Sequence, residues 1–223
     1  MSRRNLSQEK IIQSFLVSAF EKSAGATSLT DIAEDLNIKK ASLYNHFESR
    51  DAIYTATVEY CAKEIRSISF LADKTLDSIK NGKSNPVQLL KRLITRFFEL
   101  YESEPLFQIY VFIHTEQYFN LNALKIVIEE KEKINEEIRR VCSAFIDVQK
   151  IPSKTEKELK EFAETFSSIL LEQRNFYIAN RKETVRQNPE SGAGSLFALP
   201  TDDDAISRTV KIEETLIKAF IQG

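Results

Sequence analysis

Side chains able to hydrogen-bond to a nucleic acid are concentrated in residues 38–47, whose sequence is Ile-Lys-Lys-Ala-Ser-Leu-Tyr-Asn-His-Phe. Helical spacing brings the apolar side chains of Ile38, Leu43 and Phe47 to one face, which can lie on a core. The opposite face then carries side chains that can bond to base edges or phosphate oxygens: Lys39, Lys40, Ser42, Tyr44 and Asn45. We therefore predict that residues 38–47, here called the recognition segment, form a short helix that enters the DNA major groove.

The residues before the recognition segment predict another helix that crosses it. Ser28 stands three residues before Asp31, which is the spacing of a capping box, where hydroxyl and carboxylate satisfy backbone N–H groups at a helix start. Small Ala33 on the inward face of this helix allows a second helix to cross closely. Asn37 follows the last apolar residue, and asparagine tolerates the left-handed backbone that a tight turn demands. Together these features predict a helix-turn-helix.

The elements that must position this motif are helical throughout. Apolar residues recur at three- and four-residue steps almost from end to end, which predicts an all-α protein with a three-helix N-terminal head and a C-terminal helical bundle. After a first helix over residues 7–23, a long helix is predicted over residues 50–79, stopping at a polar loop that contains Gly and Pro. Further helices are predicted over residues 87–103, 105–117, 121–148, 154–188 and 205–221.

Charge and hydropathy bound the possible partners. The chain of 223 residues has a net charge of −2, and its first 50 residues, with seven basic and six acidic side chains, carry +1. The prediction of DNA binding therefore rests on pattern rather than on charge. The N-terminus lacks the apolar core of a secretory signal, and the longest mostly apolar stretch is about half of the ~20 residues that a membrane-spanning helix needs. We expect a cytoplasmic protein without a membrane segment.

Other classes of activity receive little support from the sequence. The two histidines lie far apart, and the chain has neither a Gly-rich phosphate loop nor a nucleophile elbow. No catalytic residue, cofactor or metal site is predicted. Cys61 and Cys142 fall within helical apolar patterns and are expected to be reduced core thiols. The alternative to a DNA-binding regulator is a helical adaptor that binds a protein through its N-terminal helices, which the near-neutral charge there would suit.

The run Leu-Tyr-Asn-His-Phe at residues 43–47, followed by a Ser-capped helix that opens with Arg50, resembles the tetracycline-repressor (TetR) family of bacterial transcriptional regulators. Residues 26–33, Ala-Thr-Ser-Leu-Thr-Asp-Ile-Ala, and residues 10–20 resemble the same family. The resemblance covers about the first quarter of the chain. Two positions depart from the family pattern: Asn37 replaces the usual turn glycine, and Lys39 replaces a common hydroxyl residue.

The resemblance implies DNA contacts at the helix start before the recognition segment, along the segment, and at the helix start after it. Tyr44, His46 and Arg50 are expected near phosphates, although His46 could equally be a packed or capping residue that closes the segment. The full set of expected DNA contacts is Thr27, Ser28, Lys39, Lys40, Ala41, Ser42, Tyr44, Asn45, His46 and Arg50.

The resemblance also implies a division of labour along the chain. Residues 1–49 would form the DNA-binding domain, and residues 50–223 a ligand-binding and dimerisation domain. The last two helices would build a homodimer, which would bind a palindromic operator as a ligand-responsive repressor. A small-molecule effector in the second domain would change the spacing of the two heads through the long helix after Arg50 and so release the DNA.

Aromatic residues are dense in three adjacent predicted helices between residues 97 and 119. Their simplest explanation is the core of a helical bundle. Cavities between bundle helices are also common ligand sites, and the family resemblance implies an effector pocket in this domain. The candidates for polar contacts to an effector are the side chains that offer one hydrogen-bonding tip: Tyr101, Tyr110, His114 and Tyr118.

Overall fold

The computed structural model describes residues 6–187 and 201–222, and every regular element within these ranges is helical. The elements in chain order are α1 (Gln8–Lys22), α2 (Leu29–Asp35), a 3-10 helix (Lys40–Asn45), α3 (Arg50–Ser67), α4 (Thr75–Lys80), α5 (Pro86–Leu100), α6 (Leu106–Glu116), α7 (Leu121–Asp147), α8 (Glu156–Gln187) and α9 (Asp203–Gln222). The prediction of an all-α chain is confirmed. Most predicted helices end within a few residues of the observed ones.

The described chain consists of two compact units. The first contains the described residues up to Ile68 together with Pro105–Ile128, and the second contains Ser69–Glu104 together with the described residues from Glu129 onward. The first unit includes α6 and the beginning of α7 because α1 and α3 both pack against α6. The two compact units therefore differ from the two functional domains that the sequence predicts, with their boundary after residue 49.

An apolar core holds the first unit together. Phe15 of α1 is fully buried, and its ring meets the rings of Tyr54 and Phe112 edge to face, with 6.3 Å between centroids in each pair. This geometry is the one that aromatic quadrupoles favour. Phe20 of α1 meets Phe107 of α6 in the same way at 5.2 Å. These contacts fix α1 against α3 and α6, and α2 then packs against α1 and against the 3-10 helix.

The prediction of one helix over residues 50–79 is wrong. The chain leaves helical geometry at Ile68 and resumes it at Thr75. Glu137 of α7 accepts hydrogen bonds from the hydroxyl of Ser69 at 2.6 Å and from the backbone N–H of Phe70 at 2.7 Å. The Phe70 ring is buried between the rings of Phe97 and Phe166. These tertiary contacts replace the hydrogen bonds that a continuous helix would have made.

A fully buried arginine lies inside the second unit. Nη1 and Nη2 of Arg174 on α8 donate to the two carboxylate oxygens of Glu130 on α7 at 2.7 and 2.9 Å. Nη1 also donates to the hydroxyl of Tyr101 at 2.9 Å, and the guanidinium lies over the Tyr101 ring, 4.7 Å from its centroid. A charge in an apolar interior is tolerated only when it is paired and hydrogen-bonded. This network therefore ties α7 to α8.

The two cysteines are free and buried, and burial raises the pKa of both thiols. The prediction of reduced core thiols is thereby confirmed. Among the described residues, no helix is both long and apolar enough to cross a membrane. The same residues contain no group of histidine, cysteine and carboxylate side chains placed to hold a metal ion.

Candidate nucleic-acid interface

The start of α2 is fixed by the predicted capping box. Ser28 Oγ accepts from the backbone N–H of Asp31 at 3.3 Å, and the Asp31 carboxylate accepts from the backbone N–H of Ser28 at 2.7 Å. Lys22 of α1 adds an ion pair to the same carboxylate at 2.6 Å. Hydrogen bonds from Lys22 and then from Ser28 lower the pKa of Asp31 to about 2. Asp31 therefore links α1 to the start of α2.

The turn after α2 has the left-handed residue that the sequence predicts. Asn37 has φ of 53°. Its N–H donates to Glu34 O at 3.0 Å, and the N–H of Ile38 donates to Ala33 O at 2.9 Å. These two bonds are those of a Schellman motif, which satisfies the last carbonyls of a helix and reverses the chain. The recognition segment begins immediately after this turn.

The middle of the recognition segment is a 3-10 helix of six residues, Lys40–Asn45. Lys39 precedes it in extended geometry and makes no side-chain cap. Leu43 is 1% exposed, and Ile38 and Phe47 pack against the core of the first unit. The prediction that these three apolar side chains face inward is confirmed. Because a 3-10 helix this short has little stability of its own, the burial of Leu43 holds the segment in place.

The outward positions of the recognition segment form a polar surface. Lys39, Lys40, Ala41 and Asn45 are exposed, and Tyr44 has 53% of its surface in solvent. Ser42 and His46 are half-buried beside them. Ser28 is also exposed, although its hydroxyl caps α2. The structure therefore places most of the predicted DNA contacts where a ligand can reach their side chains.

The end of the recognition segment is tied to the start of α1. The side-chain amide of Gln8 donates from Nε2 to the backbone carbonyl of His46 at 3.0 Å. This contact joins residues 38 positions apart, so no local sequence signal identifies Gln8 as a partner of the segment. Gln8 satisfies a carbonyl at the end of the 3-10 helix and thereby supports the position of His46.

Thr27 and Arg50 are placed differently from the other predicted DNA contacts. Thr27 is 2% exposed, and its hydroxyl donates to Ser23 O at 2.9 Å and accepts from Ser18 Oγ at 3.2 Å. Arg50 is partly buried, and its guanidinium donates from Nε to Thr27 O at 3.1 Å and from Nη2 to Ala24 O. It also lies over the Phe15 ring, 5.4 Å from the centroid. Both side chains brace the loop between α1 and α2.

The four predicted effector contacts do not converge on one site within either unit. In the first unit, the ring of buried Tyr110 stacks on that of half-buried His114 with 3.9 Å between centroids, whereas Tyr118 is 80% exposed. Tyr101 belongs to the second unit, where it binds Arg174 and Glu130. A cavity of about 250 Å³ in the second unit is lined by other residues: Leu76, Lys80, Glu136, Arg139, Arg140, Ser143, Ala144, Asp147, Glu156 and Leu159.

A capped helix, a left-handed turn and a polar recognition segment held by a buried leucine define a DNA-binding protein of the helix-turn-helix class. Residues 18–57 match the family model described as bacterial regulatory proteins, tetR family. The chain is 29% identical over 167 residues to the biofilm operon icaADBC negative transcriptional regulator IcaR of Staphylococcus aureus strain Newman, covering 74% of this chain and 78% of that protein. It is 43% identical over 54 residues to IcaR of Staphylococcus epidermidis, covering 24% of this chain and 29% of that protein.

Solved structures share the fold at low sequence identity. A TetR transcription regulator from Haloarcula marismortui has a TM-score of 0.57 at 11% identity, with 96% of this chain and 97% of that chain covered. GusR of Salmonella enterica has a TM-score of 0.53 at 13% identity, with 100% and 99% covered. The N-terminal region of this chain matches the TetR family, and the chain is a DNA-binding transcriptional regulator rather than an enzyme.

Proposed function

We propose that this regulator is a repressor that binds a palindromic operator as a homodimer, reading each half-site with the exposed face of the recognition segment. The proposal rests on one observation. Leu43 is buried in the core, while Lys39, Lys40, Tyr44 and Asn45 of the same segment are exposed to solvent. Repression is supported by the likeness to IcaR, a negative regulator of the icaADBC operon. Acting on DNA, such a protein would work in the cytoplasm.

The expected DNA contacts divide into two groups by their surroundings. Lys39, Lys40 and Asn45 offer free surface to phosphates and base edges, because lysine and asparagine are donors suited to both. Thr27 and Arg50 have their polar atoms engaged with the loop between α1 and α2. We propose that these two are positioning residues, which hold α2 so that the turn presents the recognition segment.

Replacing Lys40 by alanine is expected to weaken operator binding at every sequence tested and to reduce the slope of log affinity against log salt by about one unit. Lys40 is exposed on the recognition segment, so the loss of one phosphate contact explains both effects. The measurement is a titration of fragments from the promoter of the protein's own gene at several salt concentrations.

The matched control for this titration is Lys211→Ala, which removes an exposed lysine of α9 and should leave the slope unchanged. An equal change in both variants would contradict the assignment of Lys40. An absence of DNA binding at low salt with every promoter fragment would contradict the regulator and favour the adaptor.

The homodimer is proposed to form through α8 and α9. These helices pack against each other, and each exposes a large apolar side chain. Phe176 of α8 is 57% exposed and Ile212 of α9 is 45% exposed. Exposed apolar side chains on neighbouring elements are typical of an interaction surface, and a two-fold dimer would bury each of them twice.

Replacing Phe176 by glutamate is expected to raise the dimer dissociation constant by at least about 100-fold, because an unpaired charge would be buried at the interface. Sedimentation velocity over a range of protein concentrations measures this constant. Phe119→Glu is the matched control, since Phe119 is more exposed still but lies at the turn between α6 and α7. If Phe176→Glu stays dimeric, or if Phe119→Glu becomes monomeric, the assignment of the dimer interface to α8 is contradicted.

The proposal includes a small-molecule effector bound by residues 50–223. Its support is the cavity between α4, α7 and α8, whose volume of about 250 Å³ is close to the ~300 Å³ at which ligand pockets usually begin. Its lining contains three basic side chains, those of Lys80, Arg139 and Arg140, and three carboxylates, which suits a polar compound. The route from effector to DNA cannot be a single rigid helix after Arg50, because that helix ends at Ser67.

A further inference from the structure

The carboxyl group of Glu213 lies in the interior of the second unit. Glu213 is 0% exposed, and neither of its carboxyl oxygens has a hydrogen-bond partner among the described residues. It occupies a core position of α9, on the buried stripe formed by Ile206, Thr209, Glu213 and Ile217. A buried polar group without a partner is rare in a native protein and calls for a specific explanation.

The helices that pack most extensively against α9 are α5 and α8, and four of their five buried or half-buried cations have other partners. Lys91 of α5 pairs with Glu214 at 2.6 Å, and Arg96 donates to Ser69 O at 2.9 Å. On α8, Arg174 binds Glu130 and Arg181 lies 3.5 Å from Glu102.

None of the other titratable groups of these helices is hydrogen-bonded to Glu213 or shifts its pKa. Tyr177 of α8 is buried, but its ring packs on Phe98. The remaining charged side chains of α5 and α8 are exposed, apart from half-buried Lys182 and Glu183: Arg92, Glu99, Glu156, Lys157, Glu158, Lys160, Glu161, Glu164, Glu172 and Arg186.

An isolated carboxylate inside an apolar bundle is strongly disfavoured, so such a group stays protonated to a higher pH than usual. Burial raises the pKa of Glu213 from 4.5 to about 8. Burial is the sole cause of this shift, which agrees with the absence of a nearby counter-ion. At neutral pH the folded chain therefore holds a proton that the unfolded chain has lost.

We propose that Glu213 makes the docking of α9 onto α5 and α8 proton-linked, with α9 seated while the carboxyl is protonated and loosened when it ionises. Because the folded state binds the proton more tightly, the contribution to stability is fully present below pH 4.5 and is lost as the pH rises to about 8. Above that pH both states are ionised and the dependence ends.

The consequence for regulation rests on the proposed dimer. Ile212, which we place in the dimer interface, directly precedes Glu213, so loosening of α9 would disturb the interface as well as the core. The dimer would then weaken at alkaline pH, and with it the simultaneous grip of two recognition segments on one operator. Glu213 would thus act as a pH-sensitive element of the regulator.

The test compares urea unfolding of the full chain and of Glu213→Gln from pH 5 to pH 9. The ratio of the wild-type to the variant unfolding constant is expected to rise about tenfold per pH unit up to about pH 8 and to level off above it. Glu213→Leu provides the same comparison with a fully apolar side chain. Glu99→Gln, at an exposed position of α5, should give a ratio that does not change with pH. A constant ratio for both Glu213 variants overturns the proposal.

Sedimentation at pH 6.5 and pH 9 separates this inference from the proposed dimer. A dimer that weakens at pH 9 in the wild type but not in Glu213→Gln supports the link to regulation. A dimer of unchanged strength overturns that link, while the unfolding ratios still decide whether α9 docking is proton-linked. A chain that is monomeric at both pH values contradicts the proposed dimer alone.

Discussion

Replacing Glu130 by glutamine is expected to lower the free energy of unfolding by about 3–5 kcal/mol. Arg174 is fully buried and has both of its Nη atoms on the Glu130 carboxylate. Glutamine has nearly the same shape but no charge, so the buried guanidinium would lose the negative charge of Glu130. Tyr101 would still accept one hydrogen bond from Arg174, which does not compensate a full charge.

Urea unfolding at pH 7 measures this loss, and an exposed ion pair on the same helix supplies the control. Glu136 lies 3.6 Å from Arg139, and 59% of the Glu136 side chain and 39% of the Arg139 side chain are exposed to solvent. Glu136→Gln should therefore change stability by less than about 1 kcal/mol. The double variant Glu130→Leu with Arg174→Met removes both charges and should recover most of the loss. Equal effects of Glu130→Gln and Glu136→Gln would show that the Arg174 network does not carry the expected energy.

Most of the helices could be predicted because their signals are local. Periodicity located α5 to α9 within a few residues, and the capping box at Ser28 and the left-handed Asn37 were both readable from neighbouring residue types. Each of these features depends on contacts within about four residues along the chain. They can therefore be predicted without knowledge of the tertiary structure.

The break after α3 could not be predicted because its cause is distant in sequence. Residues 68–74 continue the apolar periodicity of the helix before them. The groups that hold this segment in a non-helical conformation are Glu137 and Arg96, which are distant in sequence. Arg174 is a related case, since a charged residue within a helical pattern suggests a solvent-facing position. Its partner Glu130 is 44 residues away, and only packing reveals that the pair is buried.

The candidate site was predicted well where side-chain orientation follows from helix geometry. Once the apolar residues of the recognition segment are assigned to the core, the remaining side chains must point outward. Most of these are exposed in the structure. Thr27 and Arg50 are the exceptions. The Thr27 hydroxyl is bonded to Ser23 O and Ser18 Oγ, and the Arg50 guanidinium is bonded to the carbonyls of Ala24 and Thr27. Residue type alone does not reveal these partners. The four effector candidates are all rings with a polar atom, but they do not lie together. Their positions could not be predicted, because the aromatic content of a segment does not specify which element each ring packs against.

Replacing Leu43 by alanine is expected to reduce operator affinity to the level of nonspecific binding, a loss of about 10³-fold or more. Leu43 is the most deeply buried side chain of the recognition segment, and the segment has neither a cap at Lys39 nor the length for independent helical stability. Truncation would also cost about 2–5 kcal/mol of folding stability, because it leaves a cavity under the segment. The exposed contacts would remain in the sequence but lose their common geometry.

The effect on DNA must be separated from the effect on folding, and a second core truncation achieves this. Ile65→Ala, at a buried position in the last turns of α3, creates a comparable cavity in the same unit without touching the recognition segment. Operator affinity is measured by fluorescence anisotropy at a temperature at which circular dichroism shows both variants folded. Under these conditions the affinity of Ile65→Ala should stay within about tenfold of the wild-type value. Leu43→Met should do the same, because methionine conserves the buried volume. Retention of specific binding by Leu43→Ala would mean that another surface reads the operator, since the recognition segment is held at its centre by this side chain.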